Sequence, residues 1–169
     1  CQTVEASEAR RHDRRAPVAD QWRMLLSHLA RVGVSTMSTR SFLLFCAVGL
    51  FPIALSYGAS PSASLNALYG INVDTTNLTH IMRAVMGLYL GMVVFWIWGA
   101  FNKSLAAPAL AGCAVFMLGL AAGRLLSVVL DGAPHWLFIV FTGLEIVLGV
   151  TAIVLYRGLR AEGSTAPGG

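Results

Sequence analysis

The chain of 169 residues is 56% hydrophobic and only 12% charged, whereas an ordinary soluble domain is about 25% charged. Its net charge of +4 arises near the two ends, because only six charged residues lie between Ser41 and Tyr156. A stretch so poor in charge cannot form a water-facing surface, so the composition excludes a soluble domain. It also predicts no nucleic-acid partner, since no basic patch falls on a folded surface.

Residues 1–36 are predicted to be a basic leader that is disordered or outside the natural chain, because Met37 and Arg40 introduce an apolar run as a membrane-protein start would. The alternative is a helix lying on the anionic inner surface of the membrane. Its apolar residues at helical spacing would be Val18, Trp22, Leu25, Leu26, Leu29 and Val32. The folded domain is predicted over residues 37–160, and a flexible tail is predicted over residues 161–169.

Four segments are apolar enough to cross the membrane, which takes about 20 residues of helix. They cover about residues 41–58, 81–101, 105–130 and 136–156. Each is predicted to be a helix, because backbone groups in lipid must form hydrogen bonds within their own segment. The first segment also resembles a cleaved signal peptide, but Pro52 and its small interior residues favour its retention.

The placement of lysine and arginine predicts the orientation in the membrane. Arg40 precedes the first span, Lys103 lies between the second and third, and Arg157 follows the fourth. The connections at residues 59–79 and 131–135 contain neither residue type, so we expect these two loops on the outer side. The predicted fold is an all-α, up-and-down bundle of four transmembrane helices with both termini in the cytoplasm.

Three charged residues inside the spans are the candidate ligand-binding residues. The rise of about 1.5 Å per helical residue places Arg83, Arg124 and Glu145 in the outer half of the membrane. A charge at that depth normally faces a partner or a wet cavity. We therefore expect the three side chains to converge, with a surplus positive charge that suits an anionic group.

Small residues on the same helices predict which faces pack together. Gly87 and Gly91 follow Arg83 at four-residue steps, and Gly119-x-x-x-Gly123 lies beside the arginine of the third span. Such spacing allows close helix approach, so these faces are expected to meet neighbouring helices. On the fourth span one small, partly polar stripe is formed by Thr142, Glu145, Gly149 and Ala152.

Polar residues toward the outer ends of the spans are secondary candidates. They are His80, Asp131, His135 and Thr142. Their spacing is not that of a metal site, so no metal and no cofactor is predicted. No nucleophile–base pair or cofactor motif is present, so no catalytic residue is assigned and an enzyme is the least favoured class.

Several of these motifs together resemble a known family. They are Gly119-Leu-Ala-Ala-Gly-Arg124-Leu-Leu-Ser127, Asp131-Gly-Ala-Pro134, Glu145, and Arg83-Ala-Val-Met-Gly87-Leu-Tyr-Leu-Gly91. The chain resembles, over about residues 41–156, the bacterial membrane family catalogued as domain of unknown function 4345. The resemblance implies a four-helix bundle in a bacterial inner membrane, and it supplies no activity.

Two functions remain open. In the first, the protein binds or transports a small anionic or amphipathic ligand at Arg83, Arg124 and Glu145, and Glu145 couples a proton to ligand exchange. Four helices are few for a transporter, so this hypothesis predicts a homodimer. In the second, the protein is a structural or partner-binding membrane subunit whose buried charges only fix helix packing. Membrane lipids are expected partners in both.

Overall fold

The computed structural model describes residues 38–165, with side chains as far as residue 161. This part of the chain contains five helices and no strand. They are α1 (Thr39–Gly58), α2 (Pro61–Tyr69), α3 (Thr76–Phe101), α4 (Lys103–Asp131) and α5 (Trp136–Thr165). All except α2 are long and apolar enough to cross a membrane, which confirms the prediction of an all-helical, membrane-type fold. The predicted leader at residues 1–36 lies outside the described residues.

Side-chain caps explain why two spans begin earlier than predicted. The Ser38 hydroxyl accepts a hydrogen bond from the Ser41 N–H at 3.2 Å, and the Thr75 hydroxyl accepts one from the Leu78 N–H at 3.2 Å. Each cap satisfies one of the backbone N–H groups that a helix start leaves free. As a result α1 begins at Thr39 and α3 begins at Thr76.

The end of α5 also differs from its prediction. The helix continues past its predicted end at residue 156 to Thr165, so it includes the first residues of the predicted tail. No proline interrupts this stretch, and a single glycine such as Gly158 costs a helix only about 1 kcal/mol. Residues 166–169 lie outside the described part of the chain.

The connection at residues 59–79 was predicted as a loop, and this is wrong over residues 61–69, which form α2. Pro61 lies in the first turn of α2, where a missing N–H costs nothing. Gly70 ends the helix at φ +69°, a left-handed conformation that glycine adopts readily. These two residues were the sequence signal for α2. Its buried residues, Pro61 and Leu65, hold it against α1 and α3.

The spans pack in the order α1, α3, α4, α5. The principal interfaces join α1 to α3, α3 to α4 and α4 to α5, and α5 has no comparable interface with α1. Asn102 alone separates α3 from α4. The core lies mainly among α1, α3 and α4, and its largest side chains include Phe42, Leu43, Trp96 and Leu110.

Helix α5 is attached along one narrow face. Three of its described residues are buried, namely Glu145, Gly149 and Ala152, as the predicted stripe required. Leu118 of α4 packs so closely on Gly149 that an added Cβ would lie 2.6 Å from Leu118 Cγ. Partly buried apolar residues of α5 also pack against the core, namely Leu148, Ile153, Leu155, Tyr156 and Leu159.

The prediction that the glycine faces of the second and third spans pack closely against neighbouring helices is wrong. Gly87, Gly91, Gly119 and Gly123 are exposed, and a Cβ added to any of them would have no neighbouring atom within 4 Å. Helices α3 and α4 instead approach closely at Gly99, where an added Cβ would collide with the Cβ of Ala109. The one-residue connection forces the two helices together at that end.

Gly99→Ala is expected to destabilise the protein. Its added methyl group would collide with the Cβ of Ala109, which cannot move away by side-chain rotation. Overpacking of this kind costs about 1–3 kcal/mol and should lower the Tm measured in mild detergent. Gly91→Ala, on the same helix, is the matched control, since its added methyl group meets no atom within 4 Å. Equal Tm values for the two variants would contradict this packing of α3 on α4.

Candidate ligand-binding site

Arg124 of α4 and Glu145 of α5 form an ion pair between two membrane-spanning helices. Arg124 Nε lies 3.1 Å from each carboxylate oxygen of Glu145. The two side chains are 19% and 10% exposed, respectively. Arg124 lies about two turns before the end of α4, and Glu145 lies on the buried face of α5. Of the three main candidates from the sequence, the structure brings these two together.

Aromatic rings surround the guanidinium group. The Arg124 Cζ atom is 5.2 Å from the ring centroid of Phe138 and 5.9 Å from that of Phe141, both on α5. Cation–π contacts contribute about 0.5–2 kcal/mol, so they add to the attraction of Glu145. Tyr69 of α2 stacks on Phe138 with centroids 4.6 Å apart. Helix α2 therefore reaches across to α5 at this end of the molecule.

Tyrosines near the ion pair were missed by the sequence analysis. Tyr89 of α3 is buried beside the pair, and its ring meets the ring of Tyr57 edge-on at 5.6 Å. For Tyr69, which lies outside the spans, burial raises the pKa above its ordinary value, Tyr57 raises it further, and Arg124 lowers it in part. The signal available in the sequence was a phenol inside an apolar span, which normally finds a polar partner when buried.

Arg124 lies between two cavities. The first, which we call the α1–α5 cleft, has a volume of about 160 Å³, and its lining includes Gly49, Ile53, Tyr89, Arg124, Leu144 and Glu145. The second, which we call the α4–α5 groove, has a volume of about 460 Å³, and its lining includes Arg124, Ser127, Pro134, Phe138 and Thr142. Both cavities are mainly apolar, and the same guanidinium group borders each of them.

The terminal nitrogens of Arg124 carry N–H donors that have no acceptor among the described residues. Only its Nε donates to Glu145, and Nη1 and Nη2 make no hydrogen bond to any residue in the described part of the chain. An unpaired donor in an apolar environment costs several kcal/mol. These N–H groups retain accessible surface, so they can bind an acceptor that the described residues do not supply. A planar guanidinium suits a carboxylate or a phosphate.

Arg83 does not join this site. It is exposed on α3, and it makes no ion pair or hydrogen bond with the residues that the structure describes. The prediction that it faces a neighbouring helix is wrong, because α3 turns the face of Tyr89, Val93 and Trp96 inward instead. The predicted surplus positive charge is therefore missing at the ion pair, where one arginine balances one glutamate.

The secondary candidates occupy different positions around the site. Thr142 lines the α4–α5 groove and donates a hydrogen bond to the Phe138 carbonyl at 2.8 Å. Asp131 accepts from Ser127 at 2.7 Å, and His135 Nδ1 accepts from the Leu137 N–H at 3.5 Å, so both act at helix ends. His80 is exposed. Within residues 38–161, no group of three possible metal ligands occurs.

Residues 38–156 match the family described as Domain of unknown function (DUF4345). The chain belongs to this family. The match includes Arg124 and Glu145, and it confirms the resemblance drawn from the motifs around them. The family's description gives no activity. No curated protein and no solved structure matches the chain.

Replacing either partner of the ion pair is expected to destabilise the protein, because it leaves the other charge buried and unpaired. Arg124→Gln and Glu145→Gln should each lower the free energy of unfolding by about 3 kcal/mol, measured by denaturant titration in mild detergent. The double variant should lose less than the sum of the two single losses. Arg83→Gln is the control and should change stability by only about 0.5 kcal/mol. Additive losses at Arg124 and Glu145 would contradict the ion pair.

Proposed function

We propose that this protein binds and exchanges a small anionic or amphipathic ligand at the Arg124–Glu145 site. The observation that carries the proposal is that the terminal N–H groups of Arg124 have no acceptor among the described residues while the guanidinium borders two cavities. An acceptor group of a ligand can satisfy these donors, and the apolar walls suit the remainder of an amphipathic molecule.

The balanced charge of the pair couples ligand binding to a proton. One arginine neutralises one carboxylate, so an anionic ligand that takes over Arg124 leaves Glu145 as an unpaired buried charge. Uptake of one proton by Glu145 restores neutrality. Because the complex then holds one more proton than the free protein, affinity for the anion rises as pH falls.

Other titratable groups around Glu145 do not produce this pH dependence. The titratable side chains that line the α1–α5 cleft with Glu145 are Cys46 on α1, Tyr89 on α3 and Arg124 on α4. Glutamate is the one of these residue types that ordinarily titrates below neutral pH. A bound anion is therefore expected to change the proton occupancy of Glu145 rather than that of its neighbours.

The proposal includes a bundle of four spans in the bacterial inner membrane, with both termini in the cytoplasm and the site in the outer half of the bilayer. The distribution of Lys103, Arg157 and Arg160 supports this orientation. Green fluorescent protein fused after residue 169 should fluoresce, and alkaline phosphatase inserted after Asn72 should be active. An inactive phosphatase at Asn72 together with an active one at residue 169 would reverse the orientation.

A structural role is the second candidate, because α5 has few buried residues apart from Glu145. In that case the ion pair only fixes α5 on α4, and the unused donors of Arg124 are satisfied by water. This alternative predicts that no ligand is retained and that the ion pair contributes only to the stability of the protein.

Native mass spectrometry of the full chain in mild detergent separates the two functions. Dodecanoate and inorganic phosphate serve as the amphipathic and small anionic probes. We expect the wild type to retain at least one probe, or a discrete native molecule, and the double variant Arg124→Gln/Glu145→Gln to retain none. The double variant is used because it leaves no unpaired buried charge. Arg83→Gln is the control and should bind as the wild type does. Equal retention by the double variant, or an empty wild type, would overturn the proposal.

A further inference from the structure

We infer that the ligand is a single-chain carboxylic acid of the fatty-acid type, whose carboxylate binds Arg124 while its hydrocarbon chain lies in the α1–α5 cleft and enters sideways from the bilayer. This inference rests on the proposed function and adds the class of ligand and its route. It is carried by the size of the cleft, its opening toward the lipid, and the charge of the ion pair.

The size of the cleft selects one chain rather than two. Its volume is about 160 Å³, close to the roughly 150 Å³ of a leucine-lined protein cavity that holds one benzene molecule. There is thus room for about six carbon atoms of a single chain beside the ion pair. The rest of the chain extends into the lipid, and the cleft itself has room for one chain and not for two.

The opening of the cleft faces the lipid. Phe45 of α1 and Leu144 of α5 border it, and both side chains are exposed on the membrane-facing surface. Gly49, one turn after Phe45 on α1, also lines the cleft, with no atom within 4 Å of the position that its Cβ would take. At the end of the helices nearest Arg124, the ring of Tyr69 stacks on that of Phe138, which lies beside the guanidinium. The α1–α5 cleft itself is therefore entered from the side, between its exposed residues.

The charge of the site favours a carboxylate over a phosphate. A carboxylate carries one negative charge, which Arg124 balances once Glu145 has taken up a proton. A phosphate monoester carries about −1.5 to −2 at pH 7, so it would leave excess negative charge in an apolar environment. Only proton transfer accompanies this binding, and no covalent bond is made or broken.

The test must locate the chain rather than measure its affinity. Lipid tails are as apolar as the cleft, so a chain gains little hydrophobic free energy by leaving the bilayer. We would use palmitate that carries a photoactivatable diazirine at mid-chain, with the full-length protein in nanodiscs of zwitterionic lipid. Unlabelled palmitate and inorganic phosphate are the competitors, and labelled peptides are identified by mass spectrometry.

Gly49→Leu fills the cleft without touching the ion pair, and Gly87→Leu on the outward face of α3 is its matched control. Both glycines are exposed and lack neighbours at the Cβ position. We expect labelling of the wild type at residues 45–53 and 141–148, with competition by palmitate but not by phosphate. The labelling of these residues should fall about tenfold in Gly49→Leu and stay unchanged in Gly87→Leu.

The remaining outcomes overturn the inference in distinguishable ways. Labelling that is spread over all four spans and unchanged in Gly49→Leu would exclude the cleft as the binding site. In that case, ligand retention that still depends on Arg124 and Glu145 would leave the proposed function standing. Competition by phosphate but not palmitate would identify a small anion instead. A dimer that Gly49→Leu dissociates would place a second copy in the cleft. Absence of both labelling and retention would overturn the inference and the proposed function together.

Discussion

The ion pair between Arg124 and Glu145 is the interaction on which the rest of this structure depends. Helices α1, α3 and α4 supply most of the core, whereas the fully buried residues of α5 are Glu145, Gly149 and Ala152, flanked by partly buried apolar side chains. Lipid surrounds the spans, so burying apolar surface gives little force to hold α5 in place. A paired charge that cannot be left alone in an apolar environment fixes the depth and rotation of α5.

The same constraint creates the candidate site. Because α5 is held on α4 and has no broad interface with α1, a cleft remains between α1 and α5 with the ion pair beside it. The geometry uses one nitrogen of Arg124 and leaves the terminal nitrogens without acceptors in the described residues. These unused donors are the observation behind the proposed ligand site.

The sequence predicted the spans well, because their length and composition are imposed by the bilayer. It also predicted the stripe on α5, since a glutamate inside an apolar span must face a partner. The sequence prediction failed at Gly87, Gly91, Gly119 and Gly123. Four-residue spacing shows that a helix face carries small residues, but it does not show which neighbouring helix that face meets. Arg83 was misplaced for the same reason. Helix α2 was recognisable from Pro61 and Gly70, but the cleft was not, because it depends on where α1 and α5 fail to meet.

Isotope-edited infrared spectroscopy of the Glu145 carboxyl group would show whether Glu145 and the ligand share one arginine. The protein would be labelled with ¹³C-glutamate, and the Glu145→Gln variant would identify the band. We expect an ionised Glu145 in the free protein and a protonated Glu145 when dodecanoate is bound. A carboxyl group that stays ionised with dodecanoate bound, or that is already protonated without it, would show that Glu145 and the ligand do not share Arg124 in this way.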